Sequence, residues 1–218
     1  MQFLSHVTRR GDPGWPGNPT LAIRPFSLVE RGDVANTYTL EWFNHFGTHM
    51  DAPNHFNPDG PPVAALGPEW FVCRTPYLLD QPLGENELLR PEHLAAHDLA
   101  AVDCLLIRSG FERYRTADPV VYAERGPGIS SEAARYLMDR CPRLKLLILD
   151  WISVSAYQQR EDGYRAHRLL AGAEGHGRFV LAVEDATLAG LAGTPAWVVA
   201  LPVRVDGVDG GPCTVIAG

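Results

Sequence analysis

Lysine is almost absent from this chain of 218 residues, since Lys145 is the only one, and acidic residues outnumber basic ones. The 19 Lys and Arg residues and 26 Asp and Glu residues give a formal net charge of −7. A protein that binds nucleic acid needs a basic surface to neutralise phosphates, so this composition argues against a nucleic-acid partner. Lys145 is also the single candidate for Schiff-base chemistry, but it begins an apolar segment, so we discount that chemistry.

Long apolar runs and paired cysteines are lacking too. The longest apolar run, residues 196–203, contains Pro202 and falls short of the roughly 18 residues that a membrane-spanning helix needs. The N-terminal segment lacks the basic and apolar regions of a secretory signal, which predicts a cytoplasmic protein with no membrane partner. The four cysteines form no Cys-x-x-Cys pair and indicate reduced structural thiols.

Apolar residues make up 45% of the chain and charged residues 21%, which predicts one ordered domain over residues 1–218. Segments rich in Val, Ile, Leu or aromatic residues are predicted as strands: 37–43, 102–108, 144–150, 179–184, 196–203 and 213–217. Ser130 is a good cap for a helix that Pro142 closes, and Pro91 begins a shorter helix. The order of elements predicts an α/β domain with a mixed sheet that is largely buried on both faces.

A cluster of histidines is the most informative feature. Residues 45–56 hold three of the eight histidines and one carboxylate, namely His45, His49, Asp51 and His55. Gly, Thr and Pro within the segment argue against a helix, and an extended backbone would point residues of equal parity to one side. Two imidazoles and one carboxylate are typical of a catalytic divalent-metal site, because they leave a coordination position open for water. A single histidine would more often be a hydrogen-bonded core or loop residue.

The segment matches every fixed position of the pattern H-x-G-T-H-x-D-x-P-x-H. In this it resembles the cyclase family of metal-dependent hydrolases, which includes bacterial kynurenine formamidase and isatin hydrolase. The resemblance continues, in order, along most of the chain: Leu4-Ser5, Trp15-Pro16-Gly17, Leu106-Ile107-Arg108-Ser109-Gly110, Pro127-Gly128-Ile129, Leu149-Asp150, Ala166-His167-Arg168, Val183-Glu184-Asp185 and Ala200-Leu201-Pro202. It implies a swivelling β/β/α fold, one or two divalent ions per subunit, Zn²⁺ or Mn²⁺, and a homodimer or larger assembly.

The resemblance also implies roles for single residues. His45, His49 and Asp51 would bind the first metal, with His55 beside it as the catalytic acid/base. In relatives with two metals the aspartate bridges them, and a later His and Glu, here His167 and Glu184, complete the second site. These two lie farther apart than in relatives because residues 174–178 look inserted, so His176 and Asp185 are rival ligands. Glu184 could instead be a solvent-facing residue at a strand end.

Four aromatic residues are candidate walls of a substrate pocket: Trp15, Phe46, Phe56 and Trp151. Small-molecule sites are mostly apolar, which favours such residues, although a place in the core would explain each of them as well. Relatives tend to have Thr and Asp where this chain has Trp151 and Ser155, so the substrate of a relative need not be the substrate here.

The leading functional hypothesis is a hydrolase that cleaves a small cyclic or aromatic amide or lactam with a metal-activated water. A polyketide cyclase or dehydratase is the alternative, in which the same metal would stabilise an enolate. Release of an acid and an amine distinguishes the first from the second, whose product keeps the mass of the substrate or loses water. A non-enzymatic metal-binding module is a third possibility and predicts that replacing His55 leaves function intact.

Overall fold

Thirteen strands and five α-helices make up the chain, and the computed structural model describes residues 1–218. The strands are β1 Gln2–Phe3, β2 Leu21–Ser27, β3 Thr37–Trp42, β4 His49–Asp51, β5 Val72–Cys73, β6 Pro76–Asp80, β7 Leu88–Leu89, β8 Cys104–Arg108, β9 Gly128–Ile129, β10 Leu146–Leu149, β11 Leu181–Glu184, β12 Val198–Pro202 and β13 Gly210–Ala217. The helices are α1 Pro91–Ala95, α2 Tyr114–Ala117, α3 Pro119–Glu124, α4 Ser131–Arg140 and α5 Arg160–Leu170.

Nine strands form one mixed sheet, in the order β5-β12-β13-β4-β11-β10-β8-β6, with β1 paired to β13. Strands β6, β8, β10 and β11 run parallel to one another. Strand β4 is antiparallel to both of its neighbours, β11 and β13. The short β4 therefore lies where the parallel half of the sheet meets the antiparallel half, and the predicted mixed α/β architecture is confirmed.

Both faces of the sheet are covered. Leu147 and Leu149 of β10 belong to a core of 28 buried residues that includes residues of α4 and α5. Leu146 and Ile148 of the same strand belong to a second core of 22 buried residues on the opposite face. Uniformly apolar strands are expected where both faces are buried, and the predicted burial of the sheet is confirmed.

The predicted strands and helices are found, with boundaries that differ by a few residues. Ser130 caps α4 by accepting a hydrogen bond from the Ala133 amide, and Pro91 begins α1. Strand β3 differs from expectation, because it pairs only with β2 in a separate ribbon and is exposed along most of its length. Seven strands and three helices were not predicted, namely β1, β2, β4, β5, β6, β7, β9, α2, α3 and α5. Helix α5 contains Gly163, which lowers helix propensity.

None of the helices has the length and apolar character needed to cross a membrane.

Candidate metal centre

Strand β4 supplies two of the predicted metal ligands. His49 and Asp51 point to the same face because side chains alternate along a strand. In the register of the sheet His49 lies opposite Glu184 of β11, which brings these two side chains together. All three side chains are buried, so Glu184 does not face solvent as its alternative interpretation required.

Turns on either side of β4 bring in His45 and His55. Gly47 has φ +73°, and a Cβ atom there would lie 2.7 Å from Oγ1 of Thr8, so only glycine fits this turn. A 3-10 turn, Pro53–His55, follows β4 and carries the second histidine. An extended or turning backbone was expected here, and strand parity aligns only His49 and Asp51, while turns carry His45 and His55.

Helix α5 contributes His167. The helix lies so close to residue 155 that a Cβ atom on Gly163 would come within 2.5 Å of the Ser155 Cα atom. This approach places His167 Nε2 3.4 Å from Oε1 of Glu184 and 3.7 Å from Oδ2 of Asp51. Residues that are distant in the chain thus meet on one face of the sheet.

Two overlapping groups of ligand atoms result. In the first group, His45 Nδ1 lies 2.9 Å and His49 Nε2 3.5 Å from Oδ1 of Asp51. The second group contains Asp51, His167 and Glu184, and within each group all ligand atoms lie within 4.8 Å of one another. Glu184 Oε2 also lies 3.3 Å from His49 Nε2, so each carboxylate faces both groups.

The hydrogen bonds of His49 and His167 leave the ring nitrogens that face the cluster free to bind a divalent cation. His49 Nδ1 donates to the Gly47 carbonyl at 2.8 Å and His167 Nδ1 to the Gly163 carbonyl at 2.9 Å. A carbonyl oxygen only accepts, so each neutral ring directs the lone pair of Nε2 into the cluster. Asp51 Oδ2 is buried without a hydrogen-bond partner, as expected of an atom that serves as a cation ligand.

Hydrogen bonds to carboxylates raise the pKa values of three of these imidazoles. Burial lowers the pKa of His45, but hydrogen bonds to Asp209 and Asp51 outweigh it and raise that pKa to about 10. Burial also lowers the pKa values of His49 and His167, but hydrogen bonds to Glu184 outweigh this effect and raise both values. The same bonds hold the pKa of Glu184 well below its usual range despite burial. A cation would therefore replace protons when it binds.

Asp209 is a site residue that the sequence analysis missed. Its Oδ2 atom lies 2.5 Å from Nδ1 of His55 and 3.0 Å from Nε2 of His45. Its Oδ1 atom accepts a hydrogen bond of 2.7 Å from Nδ2 of Asn44. Asp209 directly precedes β13, whose pairing with β4 brings it to the histidines. Asp209 lies 164 residues from His45 in the chain, so no local sequence pattern connects the two residues.

A cavity of about 320 Å³ opens above the cluster. The histidines and Glu184 line one side of it, together with Asp185. The remaining walls are mainly aromatic and small polar side chains: Trp15, Asn18, Phe43, Phe56, Ile152, Ser153, Ser155 and Tyr164. Trp15 packs edge-on against Tyr157, with ring centroids 5.3 Å apart.

Two of the four predicted wall residues do not line this cavity. Trp151 is fully buried and belongs to the core under α4 and α5, so its prediction as a pocket residue is wrong. Phe46 is also buried, and its ring lies directly behind Gly14, where a Cβ atom would approach it to 2.9 Å. Phe56 lines the cavity and stacks on His167 with ring centroids 4.3 Å apart.

The two rival ligands have other partners. His176 Nδ1 lies 3.6 Å from Oδ1 of Asp139, and His176 belongs to neither group of ligand atoms. Asp185 is held by two hydrogen bonds from the Arg115 guanidinium, at 2.8 and 2.9 Å, and by one from the Tyr122 hydroxyl. The Asp185 carboxylate is therefore already neutralised by a buried cation.

Comparisons with known proteins agree with this geometry. The sequence profile of a family described as "Putative cyclase" matches residues 3–156. An uncharacterised protein of Haemophilus influenzae is 41% identical over 104 residues, which are 47% of this chain and 73% of that protein. Kynurenine formamidase of Bacillus cereus is 26% identical over 202 residues, covering 93% of this chain and 89% of the relative. The fold is similar to isatin hydrolase A of Labrenzia aggregata, a structure bound to benzyl benzoate, with TM-score 0.82, 23% identity and coverage of 99% and 92%.

Proposed function

The chain belongs to the cyclase family, and from that membership we propose that it is a metal-dependent hydrolase of a small cyclic or aromatic amide or lactam. One observation carries the proposal: two groups of ligand atoms share the buried carboxylate of Asp51, beside an open cavity that His49, His167 and Glu184 line. The names of two relatives, kynurenine formamidase and isatin hydrolase, support amide hydrolysis as the reaction class.

We propose two adjacent cation positions. His45, His49 and Asp51 would hold one ion, and Asp51, His167 and Glu184 the other, with Zn²⁺ the leading candidate and Mn²⁺ the alternative. A divalent ion held in this way supplies Lewis acidity, which polarises a carbonyl group and lowers the pKa of water. Ser153 Oγ and the Val154 amide hydrogen-bond to Glu184 Oε1, and they fix the orientation of that carboxylate.

We assign proton transfer to His55. Its Nδ1 atom is bonded to Asp209, while its Nε2 atom makes no hydrogen bond and the residue lines the cavity. In the proposed reaction Nε2 accepts a proton from the attacking water and returns it to the leaving nitrogen atom. The attack by water and the departure of the nitrogen atom both become easier, because neither hydroxide nor an amide anion has to form free in solution.

The cavity supports an aromatic substrate. Trp15, Phe43 and Phe56 offer flat apolar surfaces, and a volume of about 320 Å³ suits a molecule of one or two rings. Hydroxyl groups of Ser153, Ser155 and Tyr164 lie among them and can hydrogen-bond to carbonyl or amine groups of the substrate.

The proposal is tested with isatin and an N-formyl arylamine as substrates. We expect hydrolysis of at least one, loss of activity after treatment with a chelator, and recovery on addition of Zn²⁺ or Mn²⁺. His55→Ala should lower kcat by about 100-fold or more, the usual contribution of a general acid/base. His97→Ala is the control, because that histidine bonds to the Tyr77 hydroxyl and does not line the cavity. Hydrolysis that survives complete metal removal would contradict the proposal.

We also propose that the protein forms a homodimer. The β2–β3 ribbon supports this, because Phe26, Tyr38 and Leu40 are 81%, 52% and 54% exposed and offer apolar surface to a second copy. Sedimentation velocity measures the mass directly. We expect twice the chain mass, and a monomer at micromolar concentration would contradict the proposal.

A further inference from the structure

We propose that Asp209 is a positioning residue, whose carboxylate holds His45 and His55 with the ring nitrogens that metal binding and proton transfer require. This inference rests on the proposed function, since it assumes that His45 is a metal ligand and His55 the acid/base group. It concerns the orientation of two rings by one shared carboxylate oxygen.

The geometry points to a single shared acceptor. The rings of His45 and His55 are stacked, with centroids 4.1 Å apart and an angle of 26° between their planes. His45 Nε2 and His55 Nδ1 both reach Oδ2 of Asp209, at 3.0 and 2.5 Å. The two rings are therefore fixed relative to each other as well as to the carboxylate.

A carboxylate only accepts hydrogen bonds, so both nitrogens that face it carry protons. In a neutral imidazole the other nitrogen then has the lone pair. For His45 that atom is Nδ1, which faces Oδ1 of Asp51 at 2.9 Å and would exchange its proton for a cation in the first group of ligand atoms. For His55 it is Nε2, which makes no other hydrogen bond in the cavity. One carboxylate thus selects both tautomers.

Asp209 itself is held in place by the ligand strand. The Ala52 amide, which directly follows Asp51 in the chain, donates a hydrogen bond of 2.9 Å to the Asp209 carbonyl. Gly210 is paired with Asp51 in the β-sheet, and Asn44 fixes the second carboxylate oxygen. The support of the two histidines is therefore built onto the same strand that carries the metal ligands.

An alternative is that His45, His55 and Asp209 form a cation site of their own, because their ligand atoms also lie within 4.8 Å of one another. Two features argue against it. A neutral His45 ring has one lone pair, and Nδ1 uses it in the first group. The Oδ1 atom of Asp209 is occupied by the Asn44 amide.

The test compares Asp209→Asn with Asp206→Asn, a control three positions earlier in the chain at an exposed residue. Asn44 donates to Oδ1, so the introduced amide is expected to turn its oxygen toward Asn44 and its NH₂ group toward the histidines. Donors would then face donors, and both rings would lose their support.

Three measurements are made on the zinc-loaded full-length protein: ring ¹⁵N shifts of His55, the Zn²⁺ dissociation constant by chelator competition, and steady-state kinetics. In the wild type and the control we expect His55 protonated at Nδ1. In Asp209→Asn we expect a mixture of tautomers and Zn²⁺ binding weaker by roughly 10- to 100-fold, the usual effect of losing a carboxylate behind a ligating histidine. We expect kcat to fall by a similar factor while KM changes by less than about threefold.

The proposal would be overturned if Asp209→Asn left the His55 tautomer and the Zn²⁺ affinity unchanged. It would also be overturned if the variant bound one Zn²⁺ equivalent fewer than the wild type, because Asp209 would then be a ligand of a separate cation site. If no tested amide is hydrolysed, the proposed function fails, but the ¹⁵N shifts and the Zn²⁺ affinity still decide the role of Asp209. If Asp209→Asn does not fold, the wild-type spectrum decides, because a His55 protonated at Nε2 contradicts the inference.

Discussion

Asp51 is the residue on which both groups of ligand atoms depend. Its Oδ1 atom faces His45 and His49, and its Oδ2 atom faces His167. A buried acceptor without a partner costs about 1 to 3 kcal/mol, and Oδ2 is such an atom. The fold therefore retains an unfavourable atom that a cation would satisfy, which is typical of a functional site rather than of a structural ion pair.

Replacing His167 and His176 in turn tests which of the two histidines binds the proposed second ion. We expect His167→Ala to lower the bound Zn²⁺ by one equivalent, because it removes one of the three groups around that position. His176→Ala is the matched control and should keep full zinc content, since His176 pairs with Asp139 outside the cluster. Zinc is counted by atomic emission after gel filtration. Equal losses in both variants would contradict the assignment.

How far single residues could be predicted depended on their distance along the chain. His45, His49, Asp51 and His55 lie within one short segment, so their association could be inferred from spacing alone. The choice between His167 and His176 could not be made, because it depends on how α5 and the loop after it pack against the sheet. Asp209 could not be found at all, since only the pairing of β13 with β4 brings it near His55.

The loop after helix α5 is held in place by hydrogen bonds to α4. Within the apparently inserted residues 174–178, Arg178 donates hydrogen bonds to the carbonyl oxygens of Met138, Cys141 and Leu144. The guanidinium thereby bonds to carbonyl groups at and beyond the end of α4, where the regular helical hydrogen bonds stop. The loop is thus anchored on α4, away from His167 and Glu184.

The close packing of α5 gives a prediction for Gly163→Ala. Alanine normally stabilises a helix, but here its Cβ atom would meet the Ser155 backbone at 2.5 Å. Crowding of this kind costs about 1 to 3 kcal/mol, so we expect a net loss of stability and weaker Zn²⁺ binding as His167 shifts. Urea unfolding and chelator competition measure the two effects.

Gly193→Ala provides the control for this experiment, because nothing lies within 4 Å of a Cβ atom at that position. It should leave both quantities close to the wild-type values. If Gly163→Ala were as stable as the control, the close contact between α5 and Ser155 would not position His167.

At the scale of elements, the apolar pattern predicted the buried strands well and the others poorly. Strand β10 is uniformly apolar and β8 is apolar up to its last residue, Arg108, because both of their faces are covered, so their composition alone revealed them. Strand β4 consists of three residues and is too short for any periodic signal. Strand β3 was predicted from its residue types, but the exposed ribbon that it forms depends on tertiary contacts.

The charges of the whole cluster determine how stability responds to pH. The pKa of His45 is raised from 6.5 to about 10, so its ion pairs stabilise the metal-free fold fully below pH 6.5 and are lost as the pH rises toward 10. The pKa of Glu184 is lowered from 4.5, so its contribution is present above that pH and is lost in acid. A bound cation needs the histidines neutral, and its affinity rises as they deprotonate.

We therefore expect the difference in Tm between zinc-loaded and metal-free protein to increase from pH 6 to pH 8. The comparison of the two forms removes the effect of Asp150, whose pKa is raised by burial to about 6 and which lies outside both groups of ligand atoms. Differential scanning calorimetry at several pH values gives both Tm values. A difference that stays constant or shrinks over this range would show that protons and the cation do not compete.

The place of β4 within the sheet has a consequence for the order of events during synthesis. This central strand needs β11 on one side and β13 on the other, and both are made long after it leaves the ribosome. A nascent chain that ends before β13 holds the histidine segment without one neighbouring strand and without Asp209. The group of Asp51, His167 and Glu184 therefore cannot assemble before β11 has been synthesised, and Asp209 can support the two histidines only after residue 209 has been added.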